Sequence, residues 1–181
     1  MKKLLLIFAA AFMLFPLWGG ASKKALVVYF SWSDAANTEK VAAMIAKAAG
    51  ADTERLVPVK AYSRVYKEVI ARGKAEIQGK KNCPVKKLGK NLKNYDTVFV
   101  GTPIWFGTYA PPVRTFLQEN SLKGKKVYFF CTHGKGGAGR FFNEGTKLVP
   151  GAIVGKGFSC YGDKVSTVEA QVQKWIKENV K

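Results

Sequence analysis

One histidine, His133, stands in the whole chain, and its solitude excludes a good deal. A His-rich zinc site has no ligands to draw on, and a Ser-His-Asp triad has a single place to form. Cysteine is nearly as sparse. Cys83, Cys131 and Cys160 make no CxxC pair and show no metal-ligand spacing. In an oxidising compartment an odd number leaves at least one thiol free or bridged to another molecule. Acids are scarce too: 12 Asp and Glu face 30 Lys and Arg, for a net charge of +18. Such an excess favours acidic partners, whether anionic lipid, polyanion or protein. It does not indicate nucleic acid, because no RNA- or DNA-binding signature accompanies it and the lysines spread over most of the chain. The densest run, Arg72 to Lys93, sets eight basic residues against Glu76 alone and reads as a solvated face ahead of a docking patch. Internal repeats, low-complexity tracts, a second domain and an NAD(P)H-binding motif are all missing.

Long apolar runs are confined to the start. MKKLLLIFAAAFMLFPLWGGA combines Lys2 and Lys3, an apolar stretch from Leu4 to Leu14, and the small residues Gly19 and Ala21. This predicts a signal peptide over residues 1–21 and an exported protein, periplasmic or extracellular. A retained N-terminal anchor is the other reading, although Pro16 interrupts a run already short for a span of ~20 residues. No cysteine follows the run, which argues against a lipid anchor. Residues 22–181 then form one domain, long enough for a real core, and lose two of the positive charges.

Strands and helices alternate through that domain. The run Ala25 to Phe30 is apolar without a break, as a strand covered on both faces requires. A helix follows with Val41, Met44, Ile45 and Ala48 on one side, closed by Gly50. Thr53 to Pro58 reads as a short strand near an edge. Tyr62, Val65, Tyr66, Val69 and Ile70 predict a second helix with one buried stripe. After a basic linker come a strand at Asp96–Gly101, a short helix at Pro112–Leu117 and a strand at Lys126–Cys131. A helix at Phe141–Leu148, a fifth strand at Ala152–Phe158 and a last helix over Val165–Asn179 complete the chain. The alternation predicts an α/β fold with a parallel sheet covered on both faces. Ligands of such sheets bind at the carboxyl ends of the strands, near the switch in strand order.

Three loops occupy those ends. The first, within FSWSDAANTEK, places Ser31, Ser33, Asn37 and Thr38 before a helix, where free N–H groups and the helix dipole hold anions. Plain helix capping by Asn37 or Thr38 accounts for the same residues. The second, Thr102 to Pro112, carries Trp105, Phe106 and Tyr109, aromatics that either pack on neighbouring loops or hold a flat ligand. The third, Thr132 to Arg140, has Gly134, Gly136, Gly137 and Gly139, and offers free N–H groups beside a ligand. Cys131 and Cys160 lie at or near the ends of two predicted strands, and both a disulfide between them and two buried thiols remain open.

ValValTyrPheSer leading to AsnThr, then AspThrValPheValGlyThrProIleTrpPheGlyThr, then PhePheCysThrHisGly together resemble the short-chain flavodoxin-like family. The resemblance covers the whole domain in the family's order, and its middle motif is the most specific part. It implies a three-layer sandwich with a five-stranded parallel sheet in order 2-1-3-4-5, and FMN bound non-covalently. By position, Ser31, Ser33, Asn37 and Thr38 hold the FMN phosphate; Thr102, Pro103, Ile104, Trp105, Phe106 and Gly107 run along the ring. Thr132, His133, Gly134 and Gly136 approach its other edge. The activity implied is electron transfer or reduction of a small acceptor; the positive charge of this chain suits an acidic redox protein or a small electron acceptor as partner, and a monomer is expected. No side chain need act as acid or base, and no metal is implied.

The chain departs from the family in three respects, one being its predicted export, because FMN is made in the cytoplasm and must reach the protein afterwards. The family carries a glycine just before AsnThr, whereas Asp34, Ala35 and Ala36 stand here, and Asp34 brings a negative charge towards a phosphate. Family members are acidic around the ring, whereas Lys135, Arg140 and Arg114 flank these loops and are expected to favour a negatively charged reduced ring. A second reading therefore stands beside the first: a flavodoxin-shaped module that has lost FMN and binds another anion or an acidic partner.

Overall fold

The computed structural model describes residues 24–79 and 81–180. The segment read as a signal peptide lies outside the described residues. The apolar run after it forms β1 (Ala25–Tyr29), and β1 lies against β3 (Thr97–Trp105) on one side and β2 (Asp52–Arg55) on the other. Both pairings are parallel. β5 (Lys126–His133) pairs with β3, and β6 (Ile153–Val154) and β7 (Phe158–Tyr161) pair in parallel with the two halves of β5. The order is β2-β1-β3-β5-β6, so the five positions of the expected 2-1-3-4-5 sheet are all present.

Side chains alternate between two cores. Leu26, Val28, Val98, Val100, Val127 and Phe129 face α2 (Tyr66–Gln78), α3 (Pro111–Glu119) and α4 (Phe141–Lys147). Val27, Phe99, Tyr128 and Phe130 face α1 (Asn37–Ala49) and α5 (Glu169–Asn179). Helix α1 ends where expected: Gly50 takes φ 59° and its N–H bonds to the Ala46 carbonyl.

Four expectations are corrected. The fifth strand is two strands, because Gly155 and Gly157 between them sit against rings. A Cβ on Gly155 would lie 2.2 Å from Tyr128 Cε1, and one on Gly157 would lie 2.5 Å from Phe142 Cε1. Thr102–Trp105 is not loop but the end of β3. It turns back through Phe106 and Gly107 into β4 (Thr108–Tyr109), an antiparallel pair with Ile104 opposite Tyr109. Both turn residues have positive φ, 50° and 75°, as a tight hairpin with the twist of its strands requires. The second helix begins only at Tyr66, so Tyr62 packs from the preceding coil, while Val65, Tyr66 and Ile70 stay on the surface. The last helix is preceded by a 3₁₀ segment, Gly162–Thr167, which carries Val165 into the core.

Candidate functional site

At the carboxyl ends of β1, β3, β5 and β7 the chain opens into a cleft of about 290 Å³. It lies where the strand order reverses, as the topology demands. Ten of its lining residues come from the three loops: Ser31, Ser33, Asn37 and Thr38; Pro103, Ile104 and Trp105; Thr132, His133 and Gly134. Sequence reasoning missed Trp32, Tyr161, Gly162 and Asp163, although the rule that selected the other loops applies equally to the residues after β7.

Thr38 and Thr132, 94 positions apart, share a hydrogen bond of 2.8 Å between hydroxyls. Both are buried, so this bond ties the first loop to the third beneath the cleft. The first loop is anchored on its outer side as well. Arg55 Nη2 donates to the Ser31 carbonyl at 3.0 Å and Nη1 meets Glu39 at 2.6 Å. Gly162 closes on Asn37: a Cβ there would come within 2.9 Å of Asn37 Nδ2. His133 donates from Nδ1 to the Gly134 carbonyl at 2.7 Å and packs its ring edge-on to Tyr161.

The missing glycine has a structural consequence. Ala36, at the entry to α1, adopts φ 50° and ψ 34°, the left-handed conformation that glycine takes without penalty. Holding a non-glycine residue in this conformation costs about 1 kcal/mol. Ala36→Gly is expected to raise stability by about 0.5 kcal/mol, the strain relieved less the extra entropy of an unfolded glycine. Urea unfolding measures it, and a lower midpoint would show the loop unstrained.

Asp34 does not line the cleft. It forms a 2.7 Å ion pair with Arg64, which also donates to the Trp32 carbonyl at 3.0 Å. The expected repulsion of a phosphate is therefore balanced by a guanidinium. Lys135, Arg140 and Arg114 are absent from the cleft lining too, and Asp163 is its one acidic residue. Any positive field those three residues exert therefore reaches the cleft from outside its lining. Arg114, on α3, is buried and reaches the carbonyls of Glu76 and Lys81, and Arg140 pairs with Glu144 at 2.7 Å.

Four predicted site residues stand apart from the cleft. Thr102 is fully buried; its hydroxyl accepts from the Ala110 N–H at 3.0 Å and donates to the Pro103 carbonyl, closing the base of the hairpin. Phe106 is at the tip of the turn, beside a hollow formed with Tyr66 and Ile70. Gly107 packs against Gly139, and Gly136 does not line the cleft. Trp105 is held edge-on by Tyr62, Phe30 and Trp32 at ring centroid distances of 5.0, 5.7 and 6.3 Å, so it belongs to the cleft and to the core together.

No metal-binding cluster of His, Cys, Asp or Glu occurs among the described residues. The cysteines cannot pair as considered. Cys131 lies opposite Ser159 in the sheet and faces the α2–α4 core, whereas Cys160 faces the α1–α5 core. Burial pushes the Cys131 thiol up to about 12 and Cys160 up to about 11, so neither is a ready thiolate.

A family model described as Flavodoxin matches residues 24–179. Among solved structures, a candidate flavoprotein from Bacteroides eggerthii is 28% identical, with a TM-score of 0.74 over 86% of this chain and 96% of that one. One from Bacteroides uniformis is 27% identical, with a TM-score of 0.74 over 86% of this chain and 98% of its own. A flavoprotein from Lactobacillus acidophilus, crystallised with FMN, is 25% identical, with a TM-score of 0.64 over 85% of this chain and 99% of its own. A search of curated protein sequences returns no match.

Proposed function

The chain belongs to the flavodoxin family, and on that premise we propose that it binds FMN in this cleft and acts in electron transfer or small-acceptor reduction outside the cytoplasm. The observation that carries the reading is the donor set. Three hydroxyls and an amide surround the start of α1, and Ile104 and Trp105 supply apolar surface to the same cleft as Thr132, His133 and Gly134 from the neighbouring strand end. These residues suit a ligand with an anionic phosphate at one end and an aromatic system at the other. The FMN complex of the Lactobacillus acidophilus protein supports the same assignment.

Ser31, Ser33, Asn37 and Thr38 would hold the phosphate, with the free N–H groups of α1 behind them. Pro103, Ile104, Trp105 and the added Trp32 would stack and exclude water, while His133 and Gly134 present polar atoms at the edge. FMN, when bound, supplies one- and two-electron redox chemistry. The chain's task is to orient the ring and set the charge around it. The second reading, a module without FMN, rested on the altered first loop. The Arg64 ion pair, with Asp34 outside the cleft lining, weakens that ground. The composition of the first 21 residues supports the export reading, and the excess of Lys and Arg over Asp and Glu supports an acidic redox partner.

Titration of the protein with FMN, followed by flavin fluorescence and absorbance near 450 nm, tests the assignment. Sub-micromolar binding is expected, weakened about 30-fold by Thr38→Ala through loss of a charge-assisted hydrogen bond and of the tie to Thr132. Asp34→Gly should change affinity by less than about threefold, because its charge is already paired at the surface. A folded protein that takes up no FMN at about 100 µM, far beyond the affinity this donor set predicts, would return the second reading.

Asp163 makes a further expectation. A carboxylate in the lining opposes negative charge on the ring, so Asp163→Asn should raise the midpoint potential of the bound flavin by about 30–60 mV, allowing for solvent screening. A potentiometric titration reads this directly. An unchanged potential would place the carboxylate outside the ring's field.

A further inference from the structure

A second cavity, of about 320 Å³, shares no lining residue with the cleft. Thr108 and Tyr109 of β4, Arg114 and Gln118 of α3, and Arg140 and Glu144 at the start of α4 form most of its wall. Arg114 is its central feature. The residue is only 9% exposed, and its Nη2 donates to the Glu76 carbonyl at 2.9 Å and the Lys81 carbonyl at 2.5 Å. These bonds tie down the end of α2, but they occupy one nitrogen. Nε has no hydrogen-bond partner among the described residues, and no described carboxylate lies within 4 Å of the guanidinium.

A buried cation without an anion is costly, and the surroundings do not relieve it. Glu144 is engaged elsewhere: one oxygen takes Arg140 Nε at 2.7 Å and the other accepts from the Thr108 hydroxyl at 2.5 Å. Two guanidinium groups and one carboxylate leave the cavity with an excess of one positive charge. We propose that this cavity binds a small monoanion bearing a carboxylate or phosphate oxyanion, held by Arg114 and Arg140, with Gln118 and the Tyr109 hydroxyl as neutral partners. Arginine suits the task, since its planar fork matches two oxygens of one group. Glu144 sets the limit on charge, disfavouring a dianion.

The test is a titration of the ¹⁵N-labelled protein at constant ionic strength. Chloride is exchanged for acetate in one arm and for inorganic phosphate at pH 6 in the other, with the Arg114 Nε–H resonance followed throughout. A saturable shift with a Kd of about 1 mM is expected in at least one arm, and the arm that saturates identifies the oxyanion. Arg140→Gln should weaken binding about tenfold and Glu144→Gln strengthen it about threefold. Arg114→Gln should abolish it; should that variant fail to fold, the other two decide. A resonance unmoved by both anions would overturn the proposal. So would shifts that rise without saturation across the surface lysines, or an affinity indifferent to Arg140 and Glu144. The cavity is separate from the cleft, so these outcomes hold whether or not FMN binds.

Discussion

Trp105→Ala should lower stability by about 3 kcal/mol and abolish FMN binding, one of two large effects expected from single changes near the cleft. The indole is half-buried at the end of β3, so the lower part of the range for large aromatic truncations applies. Its ring meets Tyr62, Phe30 and Trp32 edge-on, and Gly73 of α2 leaves room for it: a Cβ there would approach Trp105 Cε3 to 3.1 Å. Removing the indole opens a void between the sheet and α2 and frees Trp32, the neighbouring wall of the cleft. Trp105→Phe separates the two roles. It should recover about half of the lost stability and bind FMN within about tenfold of the parent, since a smaller ring still offers a face. Urea unfolding and FMN fluorescence measure the pair. Binding by Trp105→Ala at parental affinity would remove Trp105 from the site and leave it in the core alone.

Gly139→Ala carries the second large effect, at a position the glycine-rich loop did not single out. Gly139 has φ 56°, and a Cβ there would lie 2.1 Å from the Gly107 carbonyl oxygen. The contact is backbone against backbone, so no rotamer change relieves it. It holds the tip of the β3–β4 hairpin to the third loop, beside the 2.8 Å bond from the Arg140 N–H to the same carbonyl. Left-handed strain and steric overlap together should cost about 2–5 kcal/mol. Displacing the hairpin also shifts Ile104 and Trp105, so FMN affinity should fall with stability. Gly136→Ala is the control, because nothing lies within 4 Å of a Cβ there and its φ is not in the left-handed range. Equal destabilisation by both changes would mean that general loop flexibility matters, not the contact with Gly107.

Much of the site was legible because its signals are local. Ser31, Ser33, Asn37 and Thr38 precede an amphipathic helix, and Ile104 and Trp105 follow an apolar strand, so strand-end reasoning finds them without coordinates. Thr102 and Phe106 were assigned to the ring from the same motif. The turn at Phe106–Gly107 instead aims Phe106 away and buries the Thr102 hydroxyl under Ala110. Hairpin geometry of this kind depends on two successive positive φ angles, and phenylalanine gives no sign of one. Tyr161 and Asp163 escaped notice because the fifth strand was ended at Phe158, three residues before β7 stops.

The sequence by itself determined the alternation of strands and helices, the covering of the sheet on both faces and the ends of the strands where a ligand would sit. Hydrophobic period and helix-end chemistry act over a few residues, and distant packing changed the bounds of elements here, splitting the fifth strand and starting the second helix at Tyr66, but not their order. Only the tertiary structure decided which charges meet. Asp34 finds Arg64, thirty positions on, and so leaves the cleft; Arg114, on α3, joins Arg140 at a second cavity. It also decided that Cys131 and Cys160 face opposite cores, since the register of β5 with β7 sets Cys131 against Ser159. Register and long-range ion pairing depend on how whole elements dock. A one-residue shift of a strand sends every side chain to the other face, a parity that no stretch of sequence carries alone.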